Sequence, residues 1–427
     1  MRVGIYSLGC KVNIYESEFV TSLLKDAGFD VVSFSEEADV YIINTCSVTN
    51  EADRKSRKII SKARKENKDA IIVVMGCYSQ VKSDDIDADI IIGNKDKSKI
   101  VSLINECLEK KNKIKDIYNL REIDEFESME INNFDNHTRA FVKIQDGCNA
   151  FCSYCIIPYT RGKIRSKKPK DVVREVTSLV NNGYKEIILT GIHTGKYGLD
   201  LDNYTLCDLL KELIKIKGIY RIRLSSIEIN ELTDDILDLV SKSKIIARHF
   251  HIPLQSGSDK ILKLMNRKYD LHYFIERINK IRDIDKDISI TTDLIVGFPS
   301  EDDNDFNDTI NTLNNIKFTK IHTFPYSKRD HTKASVMSNQ VDGNIKKKRV
   351  SMVLELSNSY EYQYYNKYID SVMDGVSELK DDGTSIVHTS NFIPVIIKDK
   401  IDNNSIVKVK INKVEADNKV YGNIVKD

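Results

Sequence analysis

Three cysteines crowd one short stretch, Cys148-Asn-Ala-Phe-Cys152-Ser-Tyr-Cys155. Thiolates at this spacing can each bind one iron of a cubane, which leaves the fourth iron without a protein ligand. An open iron can chelate the amino and carboxylate groups of S-adenosylmethionine (SAM). One electron from the reduced cluster then cleaves the sulfonium and releases a 5′-deoxyadenosyl radical. A zinc knuckle or a redox pair is the competing reading. Zinc sites normally close with four Cys or His ligands, and no fourth candidate stands nearby in the sequence.

A second set is dispersed: Ser7-Leu-Gly-Cys10, Asn44-Thr45-Cys46 and Met75-Gly-Cys77. Each cysteine follows a strand-like run by a few residues. In a parallel sheet such strand ends share one edge, so the three thiols can converge and hold a second cluster. Three buried cysteines acting as small hydrophobes would be the alternative. Cys107 and Cys207 fall within helical patterns and read as core.

The elements that must position these thiols follow from hydrophobic periodicity. Residues 1–111 alternate strands (3–7, 40–44, 71–75, 90–92) with helices (16–26, 51–65, 97–108), the signature of a parallel α/β domain with crossover helices. Residues 112–137 are polar, partly acidic and irregular, and read as a linker. Residues 138–366 resume the alternation, with strands at 140–144, 186–189, 221–224, 247–252, 289–295 and 320–323 and a charged helix at 344–364. Six βα units predict a partial (β/α)6 barrel. Residues 367–427 offer short runs at 384–388, 393–397, 406–411 and 419–424, which predict a small antiparallel all-β barrel.

Ligand chemistry in such barrels sits at the C-terminal strand ends. Those ends carry Thr190-Gly191-Ile192-His193, Ser225-Ser226-Ile227-Glu228, His251-Ile-Pro-Leu254-Gln255 and Gly297-Phe298-Pro299. Gly191, Ser226, Glu228, His251, Gln255 and Gly297 are therefore candidate SAM contacts, although turn chemistry explains any one motif alone equally well.

The formal net charge of +1 supplies no overall field for nucleic acid, so such a partner must be held by local patches. No signal peptide and no membrane-spanning apolar stretch are read, and a cytoplasmic monomer without membrane attachment is expected. Eight cysteines in a reducing compartment argue for metal or redox chemistry over disulfides.

In order and spacing the motifs resemble the radical-SAM methylthiotransferases over nearly the whole chain. The matching stretches are Ser7-Leu-Gly-Cys-Lys-Val-Asn-Ile-Tyr-Glu-Ser17, Asn44-Thr-Cys-Ser-Val-Thr49, Gly76-Cys-Tyr-Ser-Gln80, residues 147–158, Arg161-Gly162 with Arg165-Ser166, His251-Ile-Pro-Leu-Gln-Ser-Gly257, Met265-Asn-Arg-Lys-Tyr269 and Asp293-Leu-Ile-Val-Gly-Phe-Pro299. The resemblance implies two [4Fe–4S] clusters, an auxiliary one on Cys10, Cys46 and Cys77 and a SAM-binding one on Cys148, Cys152 and Cys155. It also implies a C-terminal TRAM barrel, one SAM as methyl donor and a second as radical source, and an electron donor such as flavodoxin or ferredoxin. Leu-Gly-Cys-Lys-Val-Asn with Tyr15-Glu16-Ser17, together with Ser225-Ser226-Ile227-Glu228, looks like the branch acting on N6-threonylcarbamoyladenosine in tRNA. The implied partner is then a tRNA anticodon stem-loop. Methylthiolation of isopentenyladenosine or of a ribosomal protein, and a non-catalytic iron–sulfur RNA-binding sensor, remain alternatives.

Two basic runs are candidates for phosphate contact: Arg54-Lys-Ser-Arg-Lys58 continuing to Lys68, and Arg161-Gly-Lys-Ile-Arg165 continuing to Lys170. The first has a solvated helix face as its bland reading. The second borders the cysteine loop and is favoured for function. Residues 346–349 read as solvated. Val387-His-Thr-Ser-Asn-Phe392 matches a TRAM core stretch, yet the segment from Glu361 onward is slightly acidic.

Overall fold

The computed structural model describes residues 1–134 and 138–425. Part of the expected linker, 135–137, and the last two residues lie outside the described residues.

The N-terminal layer is a six-stranded parallel sheet built from β1 (Arg2–Ser7), β2 (Asp30–Val32), β3 (Val40–Thr45), β4 (Ile71–Gly76), β5 (Ile90–Ile92) and β6 (Ile114–Asp116), in the order β2-β1-β3-β4-β5-β6. Four helices accompany it: α1 (Lys11–Asp26), α2 (Asn50–Glu66), α3 (Cys77–Lys82) and α4 (Ile100–Lys110). Every residue of β3 is buried because both faces are covered. Val40 and Ile42 pack with α1 and α4, whereas Tyr41 and Ile43 face the opposite cluster with Ile60 and Ala63 of α2. The edge strands β2 and β6 escape a sequence reading because each is three residues long and polar in part. The expected linker is structured where described: it supplies β6 and buries Leu120, Met129, Ile131 and Phe134.

The central layer is a partial barrel of six parallel strands, β7 (Ala140–Asp146), β9 (Glu186–Gly191), β10 (Arg221–Leu224), β11 (His249–His251), β12 (Ser289–Val296) and β13 (Lys320–Pro325), with the two-residue β8 (Arg165–Ser166) antiparallel to β7. It forms two hydrogen-bonded sheets, β10-β9-β7-β8 and β11-β12-β13. They meet through single bridges, Ile222 with Ile246 and Ser226 with His251. This weak seam explains why the strand expected at 247–252 is shorter. Helices α5 (Ile157–Arg161), α6 (Pro169–Asn181), α7 (Leu206–Leu213), α8 (Asp234–Lys242), α9 (Asp259–Leu264), α10 (Leu271–Ile284) and α11 (Asp303–Ile316) connect the strands. The long α12 (Gly343–Asn366) packs along β13 and leads to the C-terminal module.

That module is a closed five-stranded barrel, β14-β15-β16-β18-β17, of β14 (Val372–Leu379), β15 (Ser385–Thr389), β16 (Pro394–Ile397), β17 (Ile406–Val414) and β18 (Val420–Ile424). Two features differ from expectation. β14 is a fifth strand, hidden in the sequence by Asp374 and Gly375, and the β16–β18 pair is parallel. A Cβ at Gly375 would lie 2.6 Å from the His388 carbonyl oxygen, so closure of the barrel requires the bare backbone there.

Candidate metal centre

Cys148, Cys152 and Cys155 occupy the loop between β7 and α5, beyond the C-terminal end of the first barrel strand. The loop is pinned from several sides. Cys148 donates its backbone N–H to the Gly162 carbonyl (2.9 Å), and Ser153 donates to the carbonyls of Met265 (backbone N–H, 3.0 Å) and Leu264 (hydroxyl, 2.8 Å). Asn266 Nδ2 reaches the Phe151 carbonyl at 3.0 Å. Gly147, at φ +75°, has no room for a side chain: a Cβ would stand 1.9 Å from the Lys163 carbonyl oxygen. Enclosure raises the Cys155 thiol pKa, and the nearby Cys152 and Cys148 add to the shift.

Cys10, Cys46 and Cys77 share one edge of the N-terminal sheet. Cys46 directly follows β3, Cys77 opens α3 directly after β4, and Cys10 caps α1. Burial pushes the Cys46 thiol up to about 12, with further contributions from Cys77 and Cys10, so the three are electrostatic neighbours. Asn13 holds the edge together, donating to the carbonyls of Leu8 (2.6 Å) and Thr45 (3.0 Å) while its own side-chain oxygen faces Cys10 Sγ at 3.8 Å.

The two trios are joined through α5. Asn94 Nδ2 lies 3.5 Å from Cys77 Sγ and 2.8 Å from the Thr160 carbonyl oxygen. Beside it, Arg161 Nη1 binds Glu16 Oε1 at 2.5 Å, and Lys143 Nζ reaches the same oxygen at 2.7 Å. Burial alone would raise the Glu16 carboxyl pKa, but Arg161, Lys143 and Lys97 outweigh it and hold the group well below the usual range. A second clamp comes from the loop after β13: Arg329 donates to Asp53 Oδ2 (2.7 Å), Ser47 Oγ (2.8 Å) and Asn50 Oδ1 (2.7 Å).

Two cavities flank the cysteine loop. One, of about 220 Å³, is lined by Cys152, His193, Glu228, Glu231 and Arg267 among others. Arg267 pairs with Glu228 and places Nη1 3.4 Å from Cys152 Sγ. His193 bridges Cys148 Sγ (Nδ1, 3.3 Å) and Glu231 (Nε2, 2.6 Å). The other, of about 230 Å³, lies between the layers, with Val48 and Thr49 on one side and Tyr154, Cys155, Gln255, Asp293 and Phe324 on the other.

Of the sequence candidates, Glu228 and Gln255 line one cavity each. Gly191 abuts Gln145 at the end of β9. Ser226 and His251 line neither cavity; His251 is held by Thr291 (2.9 Å) and Asp293 (3.2 Å). Gly297 faces the Lys346 stem, which would lie 2.3 Å from a Cβ, so its bareness is explained by that approach. Arg267, His193 and Glu231 were not singled out as contacts. Only the run Met265-Asn-Arg-Lys-Tyr269 could have flagged Arg267.

Comparison with known proteins agrees with this layout. Residues 142–313 match the model described as Radical SAM superfamily, and residues 2–93 match Uncharacterized protein family UPF0004. Threonylcarbamoyladenosine tRNA methylthiotransferase MtaB of Bacillus subtilis is 41% identical, across 96% of this chain and 94% of that protein. The chain belongs to the radical-SAM methylthiotransferase family. The relative of the same name from Aquifex aeolicus is 41% identical over 86% of this chain and 90% of its own length. The tRNA-2-methylthio-N(6)-dimethylallyladenosine synthase of Alkaliphilus oremlandii is 35% identical over 88% and 82%. Among solved structures, the radical S-adenosylmethionine methyltransferase TsrM from Kitasatospora setae, with tryptophan and a SAM analogue, superposes at TM-score 0.56 with 14% identity, covering 78% of this chain and 75% of that one. At that identity the likeness speaks to the fold alone.

The radical-SAM methylthiotransferase family uses SAM and [4Fe–4S] chemistry, and the donor sets here fit it. All eight cysteines are free. Burial, with repulsion from neighbouring thiols, opposes ionising Cys10 and Cys46 in one trio and Cys155 in the other unless a cationic group compensates, as an iron cluster does. Among the described residues, no group of three or more His, Cys, Asp or Glu side chains is drawn together tightly enough to hold a single metal ion. Cys107 and Cys207 are buried in the core.

The basic runs of this methylthiotransferase divide unexpectedly. Arg161, Arg165 and Lys167, expected to meet phosphate, are buried. They serve Glu16, Asp146 and Glu175 instead. Along α2, by contrast, Lys55, Arg57, Lys58, Lys62 and Lys65 are exposed. In the run read as solvated, Arg349 is buried against Glu301 (2.6 Å) and Asp303 (2.8 Å). Among the described residues no helix is long and apolar enough to cross a membrane.

Proposed function

We propose that the chain methylthiolates C2 of N6-threonylcarbamoyladenosine beside the anticodon of tRNA, with two [4Fe–4S] clusters and two SAM-dependent steps. The observation that carries this reading is the pairing of two cysteine trios across α5, each on the C-terminal edge of its own parallel sheet. In the bound enzyme the SAM-binding cluster supplies the electron for radical generation, chemistry that acid–base side chains cannot deliver at an aromatic C2.

The chain's own residues would do the rest. Cys148, Cys152 and Cys155 hold one cluster and Cys10, Cys46 and Cys77 the other. Glu228 and Gln255 would face SAM from the cavities beside the loop, with Arg267 fixing Glu228, whereas Gly191, Ser226, His251 and Gly297 stand at the strand ends without lining either cavity. The cavity between the layers has apolar walls at Phe324 and Ile295 and polar groups at Gln255 and Asp293, a surface suited to a flipped-out base. An unpaired anticodon-loop base reaches such a pocket at low cost. The exposed cations of α2 begin just beyond Val48 and Thr49 at the rim of that cavity and would grip the RNA backbone.

The test is mass spectrometry of tRNA nucleosides from a strain lacking the gene. The 2-methylthio derivative of threonylcarbamoyladenosine should disappear and return on complementation; its persistence would overturn the substrate assignment. Replacing Cys148, Cys152 or Cys155 should abolish SAM cleavage, whereas replacing Cys10, Cys46 or Cys77 should spare cleavage and stop methylthiolation.

A further inference from the structure

We propose that Arg161 tunes the reduction potential of the cluster held by Cys10, Cys46 and Cys77, acting on Cys77 from the opposite layer. The inference rests on the reading above that these thiols hold a cluster.

Arg161 ends α5, the short helix that follows the Cys148–Cys155 loop, and its side chain is 0% exposed. The guanidinium divides its donors. Nη1 and Nη2 are taken by Glu16 and by Asn13 Oδ1, the latter at 2.8 Å. Nε is left for Cys77 Sγ at 3.4 Å. Because the guanidinium is a rigid plane, the carboxylate and amide contacts that hold Nη1 and Nη2 also fix the direction of Nε–H, and it faces the sulfur. A charged donor aimed at a ligand sulfur stabilises the added electron, and hydrogen bonds to sulfur and local net charge are the levers by which proteins raise cluster potentials. Asn94 supplies a second, neutral N–H to the same sulfur at 3.5 Å. Arg161 is thus a positioning residue for one metal centre, carried on the segment that shapes the other.

The test is an EPR-monitored redox titration of the full-length chain with Cys148, Cys152 and Cys155 replaced by Ala, so that one cluster of about four irons remains. Arg161→Lys keeps a positive charge beside Glu16 but removes the planar fork. The expected result is unchanged iron content and about tenfold less reduced cluster at a fixed poise, which for one electron is roughly a 59 mV fall in midpoint. A wild-type midpoint in Arg161→Lys overturns the proposal. If that variant holds no iron, the paired exchange Arg161→Gln with Glu16→Gln, which removes one charge of each sign and leaves Lys97, Lys143 and Asp146 in place, is titrated instead, with the same expectation. Loss of iron from both variants at a near-native melting temperature also overturns it, because Arg161 would then serve assembly. Failure of the parent chain to hold any cluster would instead sink the two-cluster reading.

Discussion

The Arg223 guanidinium lies 4.4 Å from the centre of the Phe392 ring. This contact, with Arg221 donating to the His388 carbonyl (2.9 Å), fastens the C-terminal barrel to β10. The stretch expected as a module core therefore turns its aromatic residue toward its neighbour. Phe392→Ala should lower stability by about 2 kcal/mol, combining a lost cation–π contact with a half-buried ring. Thermal melting would show the fall, and limited proteolysis should cut near the end of α12 sooner. An unchanged melting temperature would argue against the contact as a fastener.

Glu186 anchors the same junction, accepting from Arg221 Nη1 and Arg223 Nε at 3.0 Å each. Burial alone would raise its carboxyl pKa, but Arg223 and then Arg221 hold it at about 2, below its ordinary 4.5. A depressed acid stabilises the fold fully above its unfolded value, and that stabilisation fades as pH falls toward the folded value. The window is therefore pH 4.5 down to 2, and the amount is on the order of 3 kcal/mol. In urea unfolding of metal-free protein, the gap between wild type and Glu186→Gln should close across that window. A gap independent of pH would refute the assignment.

Gly147→Ala places a methyl against the Lys163 carbonyl at a positive φ. Backbone cannot yield as a flexible side chain can, so the loop carrying Cys148 must shift, at a cost of roughly 2 kcal/mol or more. Iron retained by the Cys148 trio after anaerobic reconstitution should drop, while the Cys10 trio keeps its own. Full iron content in this variant would mean that the loop relaxes freely.

Lys55, Lys58 and Lys62 on α2 are exposed. Replacing all three with Gln should weaken tRNA binding several-fold and flatten the dependence of log K on log salt by roughly two to three. SAM cleavage without RNA should be unaffected. A salt dependence equal to wild type would return this face to simple solvation.

Much of the layout was legible in the sequence because parallel strands impose a direction. Cys46 and Cys77 stand one residue beyond strands made of near-continuous apolar runs, so their common edge could be read locally. The fate of Arg161, Arg165 and Lys167 could not. A basic run beside a loop looks the same whether it meets phosphate or protein, and the carboxylate that captures Arg161 is 145 residues away at Glu16. β14 was hidden for a related reason: Gly375 is chosen by a cross-strand backbone contact, and local strand propensity points the other way. Arg267 follows α9 in a stretch with no strand-end signal, and only tertiary folding brings it to Cys152.

Glu16 also bears on how such a chain can be divided. Its three cationic neighbours are Lys97 from its own layer and Lys143 and Arg161 from the barrel. An excised N-terminal fragment would keep a dehydrated anion with a single lysine to answer it, and an excised barrel would leave Lys143 and Arg161 to share Asp146 alone. Neither half is a self-sufficient building block, so a gene split at this seam would yield working protein only if both fragments were made together and met before either aggregated.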